Sequence, residues 1–259
     1  MPNVIACYKW VLDETDMRVN QDTLELDTKR AKKKISDYDK NAIEIAVQLT
    51  EANGGKTTVL SYGGEDVKQS LQEALSRGAA EAVWVNNPDA GQDDASVIAN
   101  ILSAAVKKIG EYDMIICADA SADVSNQQVP ARIAALLELP VITSVIKLEI
   151  ADGKVHVTRR LNDVTETLVV DQTAVYSVLP EIAQPRFPGV KQMMGAKKKP
   201  KTEIAAADLG LSVEQMTPKC KVRSIKGYAM TRKNLVFKDA SVEEMAAKLA
   251  ENLARDGLL

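Results

Sequence analysis

The chain has 259 residues, of which 46% are hydrophobic but only 4% aromatic, and its formal net charge is −3. Such a length permits one large α/β domain, or one domain with an extra arm, around a core that must be mostly aliphatic. The near balance of charge disfavours both disorder and a nucleic-acid partner, and no run approaches the ~20 apolar residues of a membrane span.

The first half alternates strand and helix patterns. Residues 3–9 (NVIACYK) read as a strand, and 15–28 as short alternating pieces suited to a hairpin. Residues 39–53 carry a helical apolar stripe (Ile43, Ala46, Val47, Leu49) ended by Gly54-Gly55. A β-branched run at 56–62 ends in Gly63-Gly64, and a helix at 65–77 is stopped by Gly78. Residues 81–85 read as a strand, 96–109 as a helix capped by Gly110, and 113–118 as a strand. A polar loop then leads to a helix from about 127 to 137. This order implies βαβ units and an α/β, doubly wound, mainly parallel sheet.

After Pro140 the pattern changes. Runs at 141–150 and 154–160 flank Asp152-Gly153, a hairpin signal. Runs at 166–171 and 174–179 add two strands, so this half is expected to be an antiparallel extension. Four prolines from Pro180 to Pro200, both included, with Lys197-Lys198-Lys199, suggest an exposed loop. Residues 202–232 are weakly periodic. Ser241-Val242-Glu243-Glu244 is a capping box opening an amphipathic helix through Leu253. The expected division is a nucleotide-binding domain at 1–183, a recognition loop at 184–200 and a C-terminal arm at 201–259.

Cys7, Cys117 and Cys220 are too scattered for a disulfide framework or a zinc site. His156, the single histidine, lies in a strand-like run without a ligating cluster, and no G-x-S-x-G accompanies it. The apolar run at 4–7 is too short for a signal peptide, so a cytoplasmic location is expected. The first strand is followed by no G-x-G-x-x-G, and no P-loop is present.

An open parallel sheet binds ligands beyond the carboxyl ends of its strands. The first such end offers Cys7, Tyr8 and Lys9, and the second Tyr62, Gly63 and Gly64. The fourth offers Ala118, Asp119, Ala120, Ser121, Ala122, Asp123, Val124, Ser125, Asn126, Gln127, Gln128 and Val129. Its small residues admit a ligand close to the backbone, and the helix start behind it attracts phosphate. Ser125 and Asn126 are apt cap residues, Asp123 could cap or hold a ribose hydroxyl, and Pro130 suits a first helical turn. Ser36, Asp37, Tyr38 and Asp39 form either an N-cap cluster or a cover over the adenosine end of a nucleotide. An ordinary polar loop remains the alternative at 118–129.

Taken together, several segments resemble the beta (small) subunit of electron-transfer flavoproteins. They are A-C-Y-K-W-V-L-D from Ala6, S-D-Y-D-K-N-A-I-E from Ser36, A-L-S-R-G-A from Ala74, the 118–130 loop and Q-P-R-F-P-G-V-K-Q-M-M-G-A-K-K-K-P from Gln184. The likeness covers nearly the whole chain and is strongest to the carnitine-pathway, Fix-like branch. It implies a flavodoxin-like, adenine-nucleotide-alpha-hydrolase-like fold docked on an alpha subunit that holds the shuttling FAD. It also implies a nucleotide in this chain, AMP in ordinary members and FAD in electron-bifurcating ones, with FAD the expectation here. Cys7, Ser36–Asp39, Tyr62 and the loop from Met114 to Val129 would meet it. The resemblance makes 184–200 the loop that docks on an acyl-CoA dehydrogenase or enoyl-CoA reductase, through Val190, Met193 and Met194. Val190-Lys191 stands where the family commonly has Leu-Pro. No residue is expected to act as a catalytic acid, base or nucleophile. An ATP-binding stress-like protein and a scaffold with a degenerate site are the rival readings.

Overall fold

In the computed structural model, which describes residues 1–228, 232–238 and 240–259, the chain forms two compact units. The first comprises Met1–Arg18 and Asp27–Ile225, the second Val19–Leu26 and Lys226–Leu259.

The first unit is built on a nine-stranded sheet. Its strands in chain order are β1 (Asn3–Tyr8), β2 (Lys56–Gly63), β3 (Glu81–Asn86), β4 (Met114–Ala118), β5 (Val141–Ala151), β6 (Lys154–Arg160), β7 (Thr165–Val170), β8 (Ala174–Val178) and β9 (Lys201–Ala205). In space they run β7-β6-β5-β8-β4-β1-β2-β3-β9. All pairings are parallel except β5 with β6 and β6 with β7. The helices are α1 (Asp37–Asn53), α2 (Ser70–Ser76), α3 (Ala95–Ile109), α4 (Val129–Leu137) and α5 (Val190–Ala196).

Composition explains the layering. The central strands β1, β4 and β8 are apolar nearly throughout and buried on both faces, as strands sandwiched between helices must be. Residues of α1 and α2 pack one face with Trp84, Ile116 and Tyr176. Residues of α3 and α4 pack the other with Ile5, Leu60 and Ile115. The alternation of β7 leaves one side open, as suits an antiparallel extension. Asp152 and Gly153 join β5 to β6 with φ of 51° and 72°, the left-handed pair that a tight hairpin requires.

The doubly wound α/β class matches expectation, and four local readings are corrected. The second half is not wholly antiparallel, because β8 inserts between β4 and β5, parallel to both. The expected helix at 65–77 begins as a 3-10 turn, Glu65–Gln69, before α2. The stretch 180–200 contains a 3-10 turn at Pro180–Ile182 and the helix α5, so it is not simply a loop. Within the weakly periodic 202–232 stretch, whose residues 229–231 lie outside the described residues, the first residues belong to β9, the edge strand beside β3. A two-strand pairing carries little periodic signal when one partner is a short edge strand.

In the second unit, residues 19–26 turn back on themselves, with the Asn20 N–H donating to Glu25 C=O at 2.9 Å. The Gly227 N–H donates to Leu24 C=O at 2.7 Å. The helix α6 (Val242–Arg255) opens with the expected capping box between Ser241 and Glu244, and Val242 and Leu249 on it are exposed. No helix of the described residues is long and apolar enough to cross a membrane.

Candidate functional site

Strand order reverses at β1. The chain goes from β1 outward to β2 and β3, then returns to place β4 on the other side of β1. The carboxyl ends of β1 and β4 therefore flank a topological switch point, the place where open α/β sheets accept ligands. Three chain segments meet there: the residues after β1, the start of α1, and the loop from β4 to α4.

Lys9 links all three. Its Nζ pairs with Asp123 Oδ2 at 2.6 Å, and its backbone N–H donates to Asp39 Oδ2 at 2.8 Å. Its carbonyl accepts the Ser36 N–H at 3.0 Å. Ser36 is fully buried and its Oγ accepts the Ala122 N–H at 3.2 Å. Ser36 thus sits at the N-cap position of α1 without capping it by its side chain, and ties the distant loop instead.

The carboxylates around this crossing behave differently. Burial pushes Asp39 up to about 8, against the lowering pull of the Lys9 amide and charge. Burial also raises Asp119, whose Oδ2 accepts from Gln127 Nε2 at 3.2 Å. Its Oδ1 is buried and meets no donor among the described residues. Burial would raise Asp123 too, but the hydrogen bond and charge of Lys9 hold it below the usual carboxylate range. Asp37 faces outward, paired with Lys34 at 2.8 Å and Lys40 at 2.6 Å. Tyr38 is part-exposed beside it.

The loop follows its small residues. Ala118 closes β4, and the Asp119 N–H donates to Val178 C=O at 3.0 Å. Ala120, Ser121 and Ala122 are half-buried, and Ser121 Oγ donates to Asp123 Oδ1 at 2.6 Å. Ser125 and Gln127 have left-handed backbones, with φ of 48° and 55°. The helix caps expected at Ser125, Asn126 or Asp123 are not formed. The N-cap position of α4 is Gln128, whose side chain does not cap, and its Oε1 takes the Arg132 guanidinium instead. The Gln128 side chain thus leaves the first-turn N–H groups of α4 uncapped, while Pro130 sits in that turn as expected.

Two expected residues stand apart from this crossing. Cys7 is a free, buried core thiol, and its hydrogen bond with Cys117, together with burial, pushes the Cys117 thiol well up. Tyr62 donates to Asp93 and accepts from Asn87 Nδ2 at 2.7 Å, a separate polar group at the end of β2. A cleft of about 560 Å³ lined by Trp10, Lys32, Lys33, Asp66 and Gln69 adjoins the short ribbon of Trp10–Leu12 with Lys33–Ile35, and none of the expected residues lines it.

Sequence reasoning named Lys9 only as a strand end. Its role was invisible because Asp123 lies 114 residues away. The expected docking residues Val190, Met193 and Met194 lie exposed on α5, and Phe187, not anticipated, is 93% exposed just before it.

A helix start left uncapped by its N-cap side chain, behind a loop of small residues and beside a lysine, is an arrangement of the kind that accepts an anionic group. No cluster among the described residues could hold a metal ion. In a comparison with known families, the model described as electron transfer flavoprotein domain matches residues 23–209.

Proposed function

From the premise that this chain belongs to the electron-transfer flavoprotein domain family, we propose that it is the beta subunit of a heterodimeric electron-transfer flavoprotein. In this reading it pairs with an alpha subunit and carries electrons between NADH or another donor and an acyl-CoA dehydrogenase or enoyl-CoA reductase. The observation that supports the reading is the convergence of Lys9, Ser36, Asp39 and the 118–129 loop at the switch point, where open α/β sheets accept ligands.

The nucleotide proposed is FAD, with AMP as the alternative. A flavin bound here would supply a second redox centre, which flavin-based electron bifurcation requires. This chain's residues bind and orient. In this reading the start of α4, which the Gln128 side chain leaves uncapped, meets phosphate, and Lys9 supplies positive charge. Asp119 and Asp123 are placed to take hydroxyl groups. The three alanines keep the loop low enough for a pyrophosphate to pass.

The docking surface of the reading is α5 with Val190, Met193 and Met194, whose flexible apolar side chains adapt to an irregular groove. The arm ending in α6, with its exposed Val242 and Leu249, is the surface assigned to the alpha subunit. Free cysteines suit a reducing cytoplasm.

The test is nucleotide content of the purified heterodimer by absorbance and mass spectrometry. Two flavins per heterodimer, falling to one in Ala122→Trp, support the reading. One flavin with tightly held AMP makes this an ordinary carrier. ATP would favour a stress-like protein, and no nucleotide a scaffold subunit.

A further inference from the structure

We propose that Arg186 and Lys199 are positioning residues that clamp the two ends of the 187–198 segment and present it as a pre-organised docking platform. The inference rests on the docking role assigned to that segment above.

The segment exposes Phe187, Val190, Met193 and Met194 in close succession. An apolar strip on a loose tether would have to be ordered during each encounter, which weakens association. The structure instead pins the strip at both ends.

At the leading end, the Arg186 guanidinium makes two forks. Nε and Nη2 donate to Glu44 Oε2 and Oε1 at 2.9 and 3.0 Å, while Nη1 and Nη2 donate to Glu51 Oε1 and Oε2 at 2.8 and 2.9 Å. Only a planar guanidinium matches two carboxylates in this way. Glu44 and Glu51 stand two turns apart on α1 and so share a face. The Arg186 backbone is held as well. Its N–H donates to Glu44 Oε2 at 3.0 Å and its carbonyl accepts from Arg77 Nη1 at 3.1 Å. Just upstream, Asn41 Nδ2 donates to the carbonyls of Pro180 at 2.8 Å and Ala183 at 2.7 Å.

Gly78 makes room for this arrangement. Its φ is +120°, and a Cβ there would lie 2.5 Å from Val47 Cγ1 and 3.3 Å from Arg186 Nη1. A side chain at that position would meet both the helix and the guanidinium.

At the trailing end, Lys199 Nζ donates to the carbonyls of Leu75 at 3.0 Å and Ala79 at 2.6 Å. A cation thus takes up carbonyls at and just beyond the end of α2. Between the anchors, Ala196 is buried against the core and Gln72 Nε2 donates to Met193 C=O at 3.2 Å.

Three segments far apart in sequence therefore meet at one clamp. S-D-Y-D-K-N-A-I-E supplies Asn41 and Glu44. A-L-S-R-G-A supplies Arg77, Gly78 and the carbonyls for Lys199. Q-P-R-F-P supplies Arg186. None of these side chains touches the nucleotide crossing, so nucleotide binding leaves them unexplained, whereas holding the platform accounts for each.

The test compares Arg186→Gln, Lys199→Met and Val190→Asp in the full heterodimer. Amide exchange by mass spectrometry is read over residues 187–198, together with flavin content and turnover with a purified acyl-CoA dehydrogenase. Arg186→Gln and Lys199→Met should each speed exchange in the segment at least tenfold with flavin content unchanged. They should raise the KM for the dehydrogenase several-fold with kcat nearly unchanged. Arg186→Lys, which keeps charge but loses the fork, should fall between. Val190→Asp should cut turnover at least tenfold while exchange stays as in the wild type. Wild-type exchange in both Arg186→Gln and Lys199→Met overturns the clamp. Faster exchange in those variants with unimpaired turnover in Val190→Asp upholds the clamp and refutes the docking role instead. If Arg186→Gln does not fold, Lys199→Met and Glu44→Gln carry the comparison.

Discussion

Lys9, just past β1, and Asp123, in the connection after β4, face each other at 2.6 Å across the point where the strand order reverses. Lys9 also holds the start of α1 through its backbone, so a single residue joins all three walls of the crossing. Its ammonium is available to a phosphate once the pairing with Asp123 is exchanged. Lys9→Met is therefore expected to weaken nucleotide binding by roughly ten- to a hundredfold, equivalent to a charge-assisted hydrogen bond of about 1.5–3 kcal/mol. Titration of nucleotide-stripped heterodimer with AMP and with FAD measures this, and unchanged affinity for both would remove Lys9 from the site.

Asp39 makes a second prediction, in pH. Its folded pKa, about 8, lies above the ordinary carboxylate value of the unfolded chain. The stability tied to it is complete below about pH 4. It is lost progressively as pH rises towards 8, because the unfolded chain ionises first. Asp39→Asn keeps an acceptor for the Lys9 amide and removes the buried acid. It should stabilise the protein at pH 7–8 by on the order of 1–3 kcal/mol, with the gain vanishing near pH 4. Denaturant titrations at both pH values decide the matter, and a gain independent of pH would contradict it.

Asp94 caps α3 and also holds a distant strand of chain. Its Oδ1 accepts from the N–H groups of Ser96 and Val97, both at 3.0 Å, and its Oδ2 from those of Lys219 at 2.8 Å and Cys220 at 2.9 Å. Burial would raise its pKa, but these bonds and that from Ser96 Oγ hold it well below the usual range. Its contribution is therefore present above about pH 4 and lost on acidification below that. Asp94→Ala should cost about 1–3 kcal/mol at pH 7, or several degrees of Tm, and should free the amides of residues 219–220 for exchange. A neutral effect on both would show that the cap carries no stability.

The exposed side chains of α5 predict a separable defect. Val190→Asp or Met193→Asp places a carboxylate where the reading needs apolar burial, so electron transfer to an acyl-CoA dehydrogenase should fall at least tenfold. Nucleotide content should stay normal, since both residues lie away from the crossing. Wild-type transfer in both variants would exclude α5 as a docking element.

The arm makes a prediction about assembly. Val213, Val222, Ile225, Tyr228, Val236, Val242 and Leu249 are all exposed, apolar side chains that a partner subunit would cover in this reading. Expressed alone, the chain should self-associate, and co-expression with an alpha subunit should yield a stable heterodimer. A monodisperse monomer by light scattering, with no affinity for an alpha subunit, is the contrary result.

What the sequence by itself determined was local. Apolar runs marked β1 and β4 as strands, because a strand between two helix layers has no polar side. Asp152-Gly153 marked a hairpin because both residues tolerate a left-handed backbone, and Ser241 with Glu244 marked the start of α6. The small residues of 118–129 identified the loop that faces the switch point. What only the tertiary structure decided was which distant groups meet. It placed β8 between β4 and β5 and added β9 at the edge beside β3. It turned Ser36 from a helix cap into an acceptor for Ala122. It seated Arg186 on Glu44, 142 residues away, and Lys9 on Asp123. Periodicity reports how a segment presents its faces within a few residues. Ion pairs and strand order depend on where chain crossings bring those faces together, and no local pattern encodes that.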